Sequence, residues 1–181
     1  MLDAARAKAA RLGIPADFVA ADMRDFAADS VGAAELAYVL LGSVYVASNR
    51  EFLGHLDRVA TVLPSGGLYL LDSVVWFELF SHYRRRWTRR RRGASVRASY
   101  RAELLDPLAQ TYNEFVTPEV DNRGARHLIE SRVPTKIFYP QEFLCLVEHG
   151  GTFEFVGWFN DFDLSAPATP KGRHTAILRR R

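Results

Sequence analysis

The sequence is poor in cysteine and in long apolar runs. One cysteine, Cys145, among 181 residues excludes an intrachain disulfide. Its surroundings over 143–147 form an apolar helical pattern, so we expect a buried thiol and a reducing compartment, the cytoplasm. The longest apolar runs, such as 36–41 and 67–71, are too short to span a bilayer, and the start of the chain has no signal-peptide core. We therefore expect a soluble cytoplasmic protein.

Lysine is scarce as well. Three lysines leave arginine as 21 of the 24 basic residues, and the formal net charge is +3. Seven arginines lie between Arg84 and Arg92, so the basicity is local. Such a run could bind phosphates of a nucleic acid or an anionic substrate, or it could be a solvated face. We favour the solvated face over a nucleic-acid partner, because no stacking motif accompanies the run.

The remaining composition is that of an ordinary globular protein. Hydrophobic residues at 48% and charged residues at 25% argue against a disordered chain and a coiled coil. The length suits one domain, 1–181, in which about 70% of the unfolded surface becomes buried. The five histidines are scattered without a paired nucleophile, so hydrolase chemistry has little support. Asp161 and Asp163 have metal-binding spacing but no third ligand nearby, which favours a loop and no metal.

Hydrophobic periodicity predicts a parallel α/β sheet in the first half of the chain. A helix over 2–12 is ended by Gly13, and a capping box of Ser48 and Glu51 starts a second helix that stops at 64–67. The predicted strands are 18–21, 35–41 and 68–71. Because helices and strands alternate, the strands are expected to run parallel.

The pattern changes in the second half. Residues 74–93 are mixed aromatic and basic, and we predict a helix whose outer part carries the arginine run. An antiparallel insertion over 94–138 is then predicted from turn chemistry between alternating segments, which are 95–103, 110–120 and 126–137. A helix from Pro140 to the Gly150-Gly151 pair follows, and strands are expected over 152–159 and 174–178.

Six stretches, taken in order, resemble a known family. They are 1–9, 18–26, 36–43, 63–72, 106–112 and 153–163. Together they resemble the seven-strand α/β class of S-adenosylmethionine-dependent methyltransferases, in particular the small-molecule group with an inserted antiparallel sheet. The resemblance covers nearly the whole chain. It implies an α/β fold with a Rossmann-like methyltransferase sheet, S-adenosyl-L-methionine as cofactor and methyl transfer to a small-molecule acceptor.

The resemblance also implies where the cofactor binds. In that family the acid after the 18–21 strand accepts a hydrogen bond from the adenine amine, and the next backbone amide donates to a ring nitrogen. These positions correspond to Asp22 and Met23, although an acid closing a strand is otherwise a turn or cap residue. The stretch Leu41, Gly42 and Ser43 would lie beside the methionine half of the cofactor, where glycine lets the backbone approach closely.

Four aromatic residues could line a substrate pocket above the strand ends. They are Tyr45, Trp76, Tyr112 and Trp158. Aromatics at such spacings are otherwise core residues. The sequence nominates no catalytic base, because methyl transfer to a nucleophilic acceptor depends mainly on alignment in a water-poor pocket.

One part of the family pattern has no counterpart. None of the 12 glycines forms a Gly-x-Gly, and Met1 corresponds to a residue inside the helix after the family's second strand. We therefore expect an N-terminally truncated sheet, from a late start codon or a truncated gene. The strands 18–21 and 35–41 must then pair directly or leave exposed edges.

This departure leaves three hypotheses open. The first is a methyltransferase that is incomplete as this chain alone. The second is a noncatalytic interaction module that forms a homodimer through the β insertion or an exposed sheet edge. The third, which the charge pattern disfavours, is a basic nucleic-acid-binding protein.

Overall fold

The computed structural model describes residues 2–78, 83–91, 94–165, 168–169 and 171–181. The helices of this part are α1 (Leu2–Leu12), α2 (Ala28–Val31), α3 (Asn49–Val62) and α4 (Pro140–Gly150). Its strands are β1 (Leu36–Val39), β2 (Leu68–Asp72), β3 (Tyr83–Arg91), β4 (Ala94–Asp106), β5 (Thr111–Asn122), β6 (Ala125–Leu128), β7 (Ser131–Lys136), β8 (Phe153–Asn160) and β9 (His174–Arg180). The strands form two sheets.

The first sheet has the order β1-β2-β9-β8. β1 and β2 are parallel, with Leu36 opposite Leu68, as the sequence predicts. β9 is antiparallel to both of its neighbours, so β8 runs in the direction of β1 and β2. The carboxyl ends of β1, β2 and β8 therefore share one edge with the start of β9. This is the edge at which α/β sheets bind ligands.

Helix α3 packs its apolar face into the main core. Phe52 is fully buried and lies 4.5 Å from the ring of Phe138 and 5.7 Å from that of Phe143, measured between ring centroids. The predicted cap is confirmed: the Ser48 hydroxyl accepts a hydrogen bond from the Glu51 backbone N–H at 3.2 Å. This cap fixes the start of the helix and so the direction in which Phe52 points.

The second sheet is antiparallel and is built around β5. Its order is β3-β4-β5-β6, and β7 pairs with the first half of β5. The backbone N–H of Lys136 in β7 donates to the Val46 carbonyl at 2.8 Å. The second sheet thereby lies against the segment that follows β1, next to the carboxyl edge of the first sheet.

The helix predicted over 74–93 is wrong where the structure describes it. Tyr83–Arg91 is a strand that pairs with β4 from Tyr83 opposite Ala102 to Arg91 opposite Ala94. The antiparallel sheet therefore begins before the predicted start at 94. Arginines occur on both faces of this strand. The sequence therefore lacks the alternation of apolar and polar residues that predicts a strand. Arg92 lies outside the described residues.

The strand predicted over 18–21 is also absent. Residues 14–22 adopt no regular element, and Val19 is 43% exposed. A strand needs a neighbouring strand whose backbone N–H and C=O groups form hydrogen bonds with its own. This segment has no such neighbour, so its apolar pattern alone does not make it a strand. The sequence left two alternatives, direct pairing of 18–21 with 35–41 or an exposed sheet edge. The structure has the exposed edge, because β1 is an outer strand of the first sheet among the described residues.

The buried thiol expected at Cys145 is wrong as well. Cys145 lies on α4 but is exposed, whereas Phe143 and Val147 of the same helix are buried. With about 3.6 residues per turn, position 145 lies between these two core positions on the opposite side of the helix. The rest of α4 agrees with prediction, since Pro140 is its first residue and Gly151 ends it with φ 70°.

The Phe52→Ala variant tests how far the core depends on α3. We expect the free energy of unfolding to fall by about 3–5 kcal/mol, because a large cavity would remain between Phe138 and Phe143. Arg50→Ala, on the exposed side of the same helix, should change it by about 0.5 kcal/mol or less. Urea denaturation measures both variants, and equal losses would contradict this assignment of the core.

Candidate functional site

A buried carboxylate at the end of β2 joins three parts of the chain. Asp72 has 0% exposure, and its two oxygens accept four hydrogen bonds from three residues. Arg173 donates to both oxygens at 2.5 Å, the Leu41 backbone N–H donates at 2.6 Å, and the Ser73 hydroxyl donates at 3.2 Å. Burial alone would raise the pKa of Asp72, but these hydrogen bonds, with Arg173 the strongest, hold it below its usual value. Asp72 is therefore ionised and links the ends of β1 and β2 to the start of β9.

The turn after β1 depends on this carboxylate. Leu41 and Gly42 have φ angles of 58° and 67°, a left-handed conformation that is costly for leucine. The Gly42 N–H donates to the backbone carbonyl of Asp72 at 2.9 Å. A Cβ atom on Gly42 would lie 2.9 Å from the Ser73 carbonyl oxygen. Glycine is thus required here by the neighbouring strand β2, and the Leu41 side chain is left 74% exposed.

Asp22 and Met23 line an open depression of about 370 Å³, together with Val19, Phe26 and Val31. The Asp22 carboxylate is hydrogen-bonded by Arg24, with Nη2 to Oδ2 at 2.6 Å and the backbone N–H to Oδ1 at 2.9 Å. The side-chain and backbone hydrogen bonds of Arg24 lower the pKa of Asp22 to about 2. Asp22 is therefore an exposed, ionised acceptor at the rim of the depression.

A buried histidine connects this depression to the central sheet. His55 on α3 is 3% exposed; its Nδ1 lies 2.8 Å from the Met23 carbonyl oxygen and its Nε2 lies 2.7 Å from the Tyr69 hydroxyl. A neutral ring satisfies both contacts when Nδ1–H donates to Met23 and Nε2 accepts from Tyr69. Burial lowers the pKa of His55, which favours that neutral form. His55 therefore anchors the segment that carries Met23.

Three of the predicted substrate residues belong to one cluster of polar and aromatic side chains around β5. Glu114 on β5 accepts hydrogen bonds from the hydroxyls of Tyr45 at 3.0 Å and Tyr100 at 3.1 Å. Tyr100 and Trp76 pack against the small core cluster that contains Tyr112. The ring of Trp76 meets that of Tyr112 edge-on at 5.6 Å. The structure thus brings Tyr45, Tyr112 and Trp76 together.

The phenols of this cluster remain protonated at neutral pH. Burial, and then the negative charge of Glu114, raise the pKa of Tyr45. Burial is also the main cause that raises the pKa values of Tyr100 and Tyr112. The cluster therefore presents protonated hydroxyl donors around a carboxylate that is 9% exposed.

Trp158 belongs to a different aromatic group. Its ring lies 5.1 Å from Phe77, 5.3 Å from Phe143 and 4.8 Å from Phe155. These side chains are near the carboxyl end of β8, beside a second open depression of about 560 Å³. Trp158 is partly buried against the main core, whereas Tyr112 belongs to a second, smaller core cluster with Ala102 and Ile137.

Sequence reasoning missed four residues of this site: Asp72, Arg173, Glu114 and His55. Asp72 and its partner Arg173 are 101 residues apart, and Glu114 is 69 residues from Tyr45, so no local pattern links them. His55 and Met23 are 32 residues apart, so no local pattern links these two residues either. The available signal was Asp72 itself, an acid that directly ends a buried strand, as Asp22 was expected to do.

Several other candidates have local structural roles. Asp163 accepts hydrogen bonds from the backbone and the hydroxyl of Ser165, and Asp161 is in a left-handed turn. Within the described ranges, no group of three or more His, Cys, Asp or Glu side chains could hold a metal ion. None of the helices in these ranges is long and apolar enough to cross a membrane.

The first sheet, its ligand-binding edge and the antiparallel sheet beside that edge define a Rossmann-like α/β fold with an antiparallel β subdomain. No protein-family model and no curated protein sequence matches the chain. Solved structures do match it, and they show that the chain has the fold of S-adenosylmethionine-dependent methyltransferases.

Three of these structures illustrate the similarity. One is an S-adenosylmethionine-dependent methyltransferase from Clostridium acetobutylicum, with a TM-score of 0.76 and 11% identity over 98% of this chain and 70% of that one. The sugar N-methyltransferase KedS8 from Streptoalloteichus has a TM-score of 0.69 and 18% identity over 99% and 69%. CalS10, an amino pentose methyltransferase from Micromonospora echinaspora, has a TM-score of 0.63 and 16% identity over 89% and 63%.

The Asp72→Asn variant tests the buried ion pair. Removing the charge leaves Arg173 without its carboxylate, so we expect the free energy of unfolding to fall by about 3 kcal/mol, the lower end for a buried pair because Arg173 is 34% exposed. Glu154→Gln disrupts the exposed pair with Arg179 and should cost about 1 kcal/mol or less. Guanidinium denaturation compares them, and similar costs would refute a special role for Asp72.

The pH dependence of stability tests the buried histidine. Because the pKa of His55 is lower in the folded chain than the ordinary 6.5, the unfolded chain binds a proton first, and stability should fall as pH drops below about 6.5. In His55→Gln this part of the pH dependence should disappear. Urea denaturation between pH 7.5 and pH 5.5 measures it.

A matched histidine variant completes that test. His127 is exposed on β6, so His127→Gln should keep the wild-type pH dependence. If wild type and His55→Gln lost stability equally as the pH fell, the buried ring of His55 would not be the cause of the pH dependence.

Proposed function

We propose that this chain is an S-adenosylmethionine-dependent methyltransferase domain that acts on a small-molecule acceptor. The observation that carries the proposal is the fold, because almost the whole chain superposes on methyltransferase structures. Two of the similar structures are described as methyltransferases of an amino pentose and of a sugar nitrogen, which supports an acceptor of small size.

The proposed cofactor residues are Asp22 and Met23 for adenine, and Leu41, Gly42 and Ser43 for the methionine half. The adenine role of Asp22 is supported by its position, because it is an exposed, ionised hydrogen-bond acceptor at the rim of a depression. Such an acceptor suits the exocyclic amine of adenine. The Leu41–Gly42 turn supports its role by being strained and yet held in place by Asp72, as binding loops often are.

The proposed acceptor site lies between this turn and the second sheet. It is formed by Tyr45, Trp76 and Tyr112, with Trp158 as a more distant wall. Aromatic walls exclude water, and methyl transfer requires mainly that acceptor nitrogen or oxygen, methyl carbon and sulfur be aligned in such an environment. When the acceptor is already nucleophilic, the protein need supply little acid or base chemistry for this step.

A homodimer remains a further part of the proposal. The outer edge of β1 supports it, because Leu36 and Tyr38 on this strand are 50% and 62% exposed. An open edge presents unpaired backbone N–H and C=O groups that another strand can pair with. The second sheet offers a similar outer strand in β3.

Titration with S-adenosylmethionine tests the cofactor assignment. We expect a dissociation constant between micromolar and millimolar, and a loss of about tenfold or more in Asp22→Ala, because a hydrogen bond to a charged acceptor disappears. Isothermal titration calorimetry measures both. Asp25→Ala is the matched control, since Asp25 is in the same turn but pairs with Arg58.

The possible results of this titration lead to different conclusions. Wild-type binding that Asp22→Ala weakens and Asp25→Ala leaves unchanged supports the adenine site. Absence of binding up to millimolar cofactor would rule out use of the cofactor by this chain.

A further inference from the structure

The starting point is the turn that carries the proposed adenine residues. The Asp25 backbone N–H donates to the Asp22 carbonyl at 3.1 Å, which closes a β-turn. Met23 and Arg24 are the central residues of this turn. Within the described ranges the Met23 N–H donates to no protein group, so it is open to a ligand. The orientation of the turn therefore sets where the proposed adenine contacts point.

One peptide group of the turn has a partner at each end. The peptide between Met23 and Arg24 presents its carbonyl oxygen to His55 Nδ1 at 2.8 Å. Its N–H donates to Asp22 Oδ1 at 2.9 Å. Because a peptide group is planar, its C=O and N–H point in opposite directions and rotate together. A partner that fixes the carbonyl thereby fixes the N–H that holds the Asp22 carboxylate.

The position of the proton on the His55 ring follows from its neighbours. A carbonyl oxygen can only accept, so Nδ1 carries the proton that is donated to Met23. In the neutral ring Nε2 then accepts from the hydroxyl of Tyr69, which lies 2.7 Å away and is 2% exposed. Tyr69 on β2 thus stabilises the tautomer of His55 that can hold the turn.

The other contacts between α3 and this turn are exposed to solvent. Arg58 pairs with Asp25 at 3.2 Å, and the two side chains are 49% and 80% exposed. Glu51 lies 3.8 Å from Arg24. Exposed ion pairs contribute little, because water and salt screen them. The buried contact of His55 is therefore the main one by which α3 fixes the turn.

We propose that His55 is a positioning residue of the adenine site, which orients the Asp22 carboxylate through the Met23–Arg24 peptide. The inference rests on the proposed function and adds to it a residue that acts through this peptide. A hydrogen-bonded series leads from the Tyr69 hydroxyl through His55 and the peptide to Asp22. The adenine site is thereby coupled to strand β2 in the core of the first sheet.

Two amide variants replace one ring nitrogen each. His55→Asn places its amide nitrogen near the position of Nδ1 and can still donate to Met23, whereas the longer His55→Gln reaches the position of Nε2. We expect His55→Asn to keep the dissociation constant of S-adenosylmethionine within about threefold of wild type, and His55→Gln to raise it about tenfold or more. Isothermal titration calorimetry at pH 7.5 measures both, because the lowered pKa of His55 keeps the ring neutral there.

A measurement without cofactor tests the turn itself. The exchange of the Arg24 amide proton with water, measured by NMR, should be about tenfold faster in His55→Gln than in wild type, because the bond to Asp22 is loosened. In His55→Asn it should change by about threefold or less. A merely structural role of His55 would make exchange and cofactor affinity follow each variant's loss of stability instead.

Two further variants complete the test. Tyr69→Phe removes the hydroxyl that stabilises the tautomer and should raise the cofactor dissociation constant about threefold or more, which decides the matter even if the His55 variants fail to fold. Arg58→Ala removes the exposed pair with Asp25 and should change the dissociation constant by about twofold or less.

The results that would overturn the inference differ from those that would overturn the proposed function. Equal dissociation constants for wild type, His55→Gln and Tyr69→Phe would overturn the inference and leave the proposed function intact. Equal losses in His55→Asn and His55→Gln, or an equal loss in Arg58→Ala, would also overturn it. A wild type that binds no cofactor up to millimolar concentration would overturn the proposed function, and the inference with it.

Discussion

The proposed site depends most on the hydrogen bonds and the ion pair that the buried carboxylate of Asp72 forms. This carboxylate is placed at the end of β2 with no exposure, where an unpaired charge would be strongly unfavourable. Four donors from three segments satisfy it, and one of them is the backbone of Leu41, in a left-handed turn that leucine adopts at a cost. The same residue that avoids a buried unpaired charge therefore holds the turn beside which the cofactor is proposed to bind.

The second sheet has a related role on the other side of this turn. It lies against the segment after β1 through the Lys136–Val46 backbone hydrogen bond, and it brings Glu114 to Tyr45. Two carboxylates thus flank residues 41–45. Asp72 pairs with the guanidinium of Arg173, whereas Glu114 accepts hydrogen bonds from the phenols of Tyr45 and Tyr100. Asp72 therefore ties this segment to β2, and Glu114 ties it to β5.

Prediction from the sequence succeeded where a feature depends on neighbouring residues or on the order of several elements along the chain. The capping box at Ser48, the parallel pairing of β1 with β2 and the end of α4 at Gly151 agree with the structure. The expectation failed where a residue's state depends on distant neighbours. Residues 18–21 have strand-like composition but no partner, the arginine run is a strand because β4 pairs with it, and Cys145 is exposed because its helix turns it outward.

The sequence by itself determined most of the helices and strands, with 18–21 and 83–91 as exceptions, the turn residues, and the resemblance that pointed to Asp22, Met23 and 41–43. These depend on spacing, glycine and proline, and on short-range hydrogen bonds. Only the tertiary structure decided which side chains meet: Arg173 with Asp72, His55 with Met23, and Tyr45 with Glu114. The physical reason is that hydrogen bonds and burial act over a few ångströms, between residues that the fold brings together from 32 to 101 positions apart.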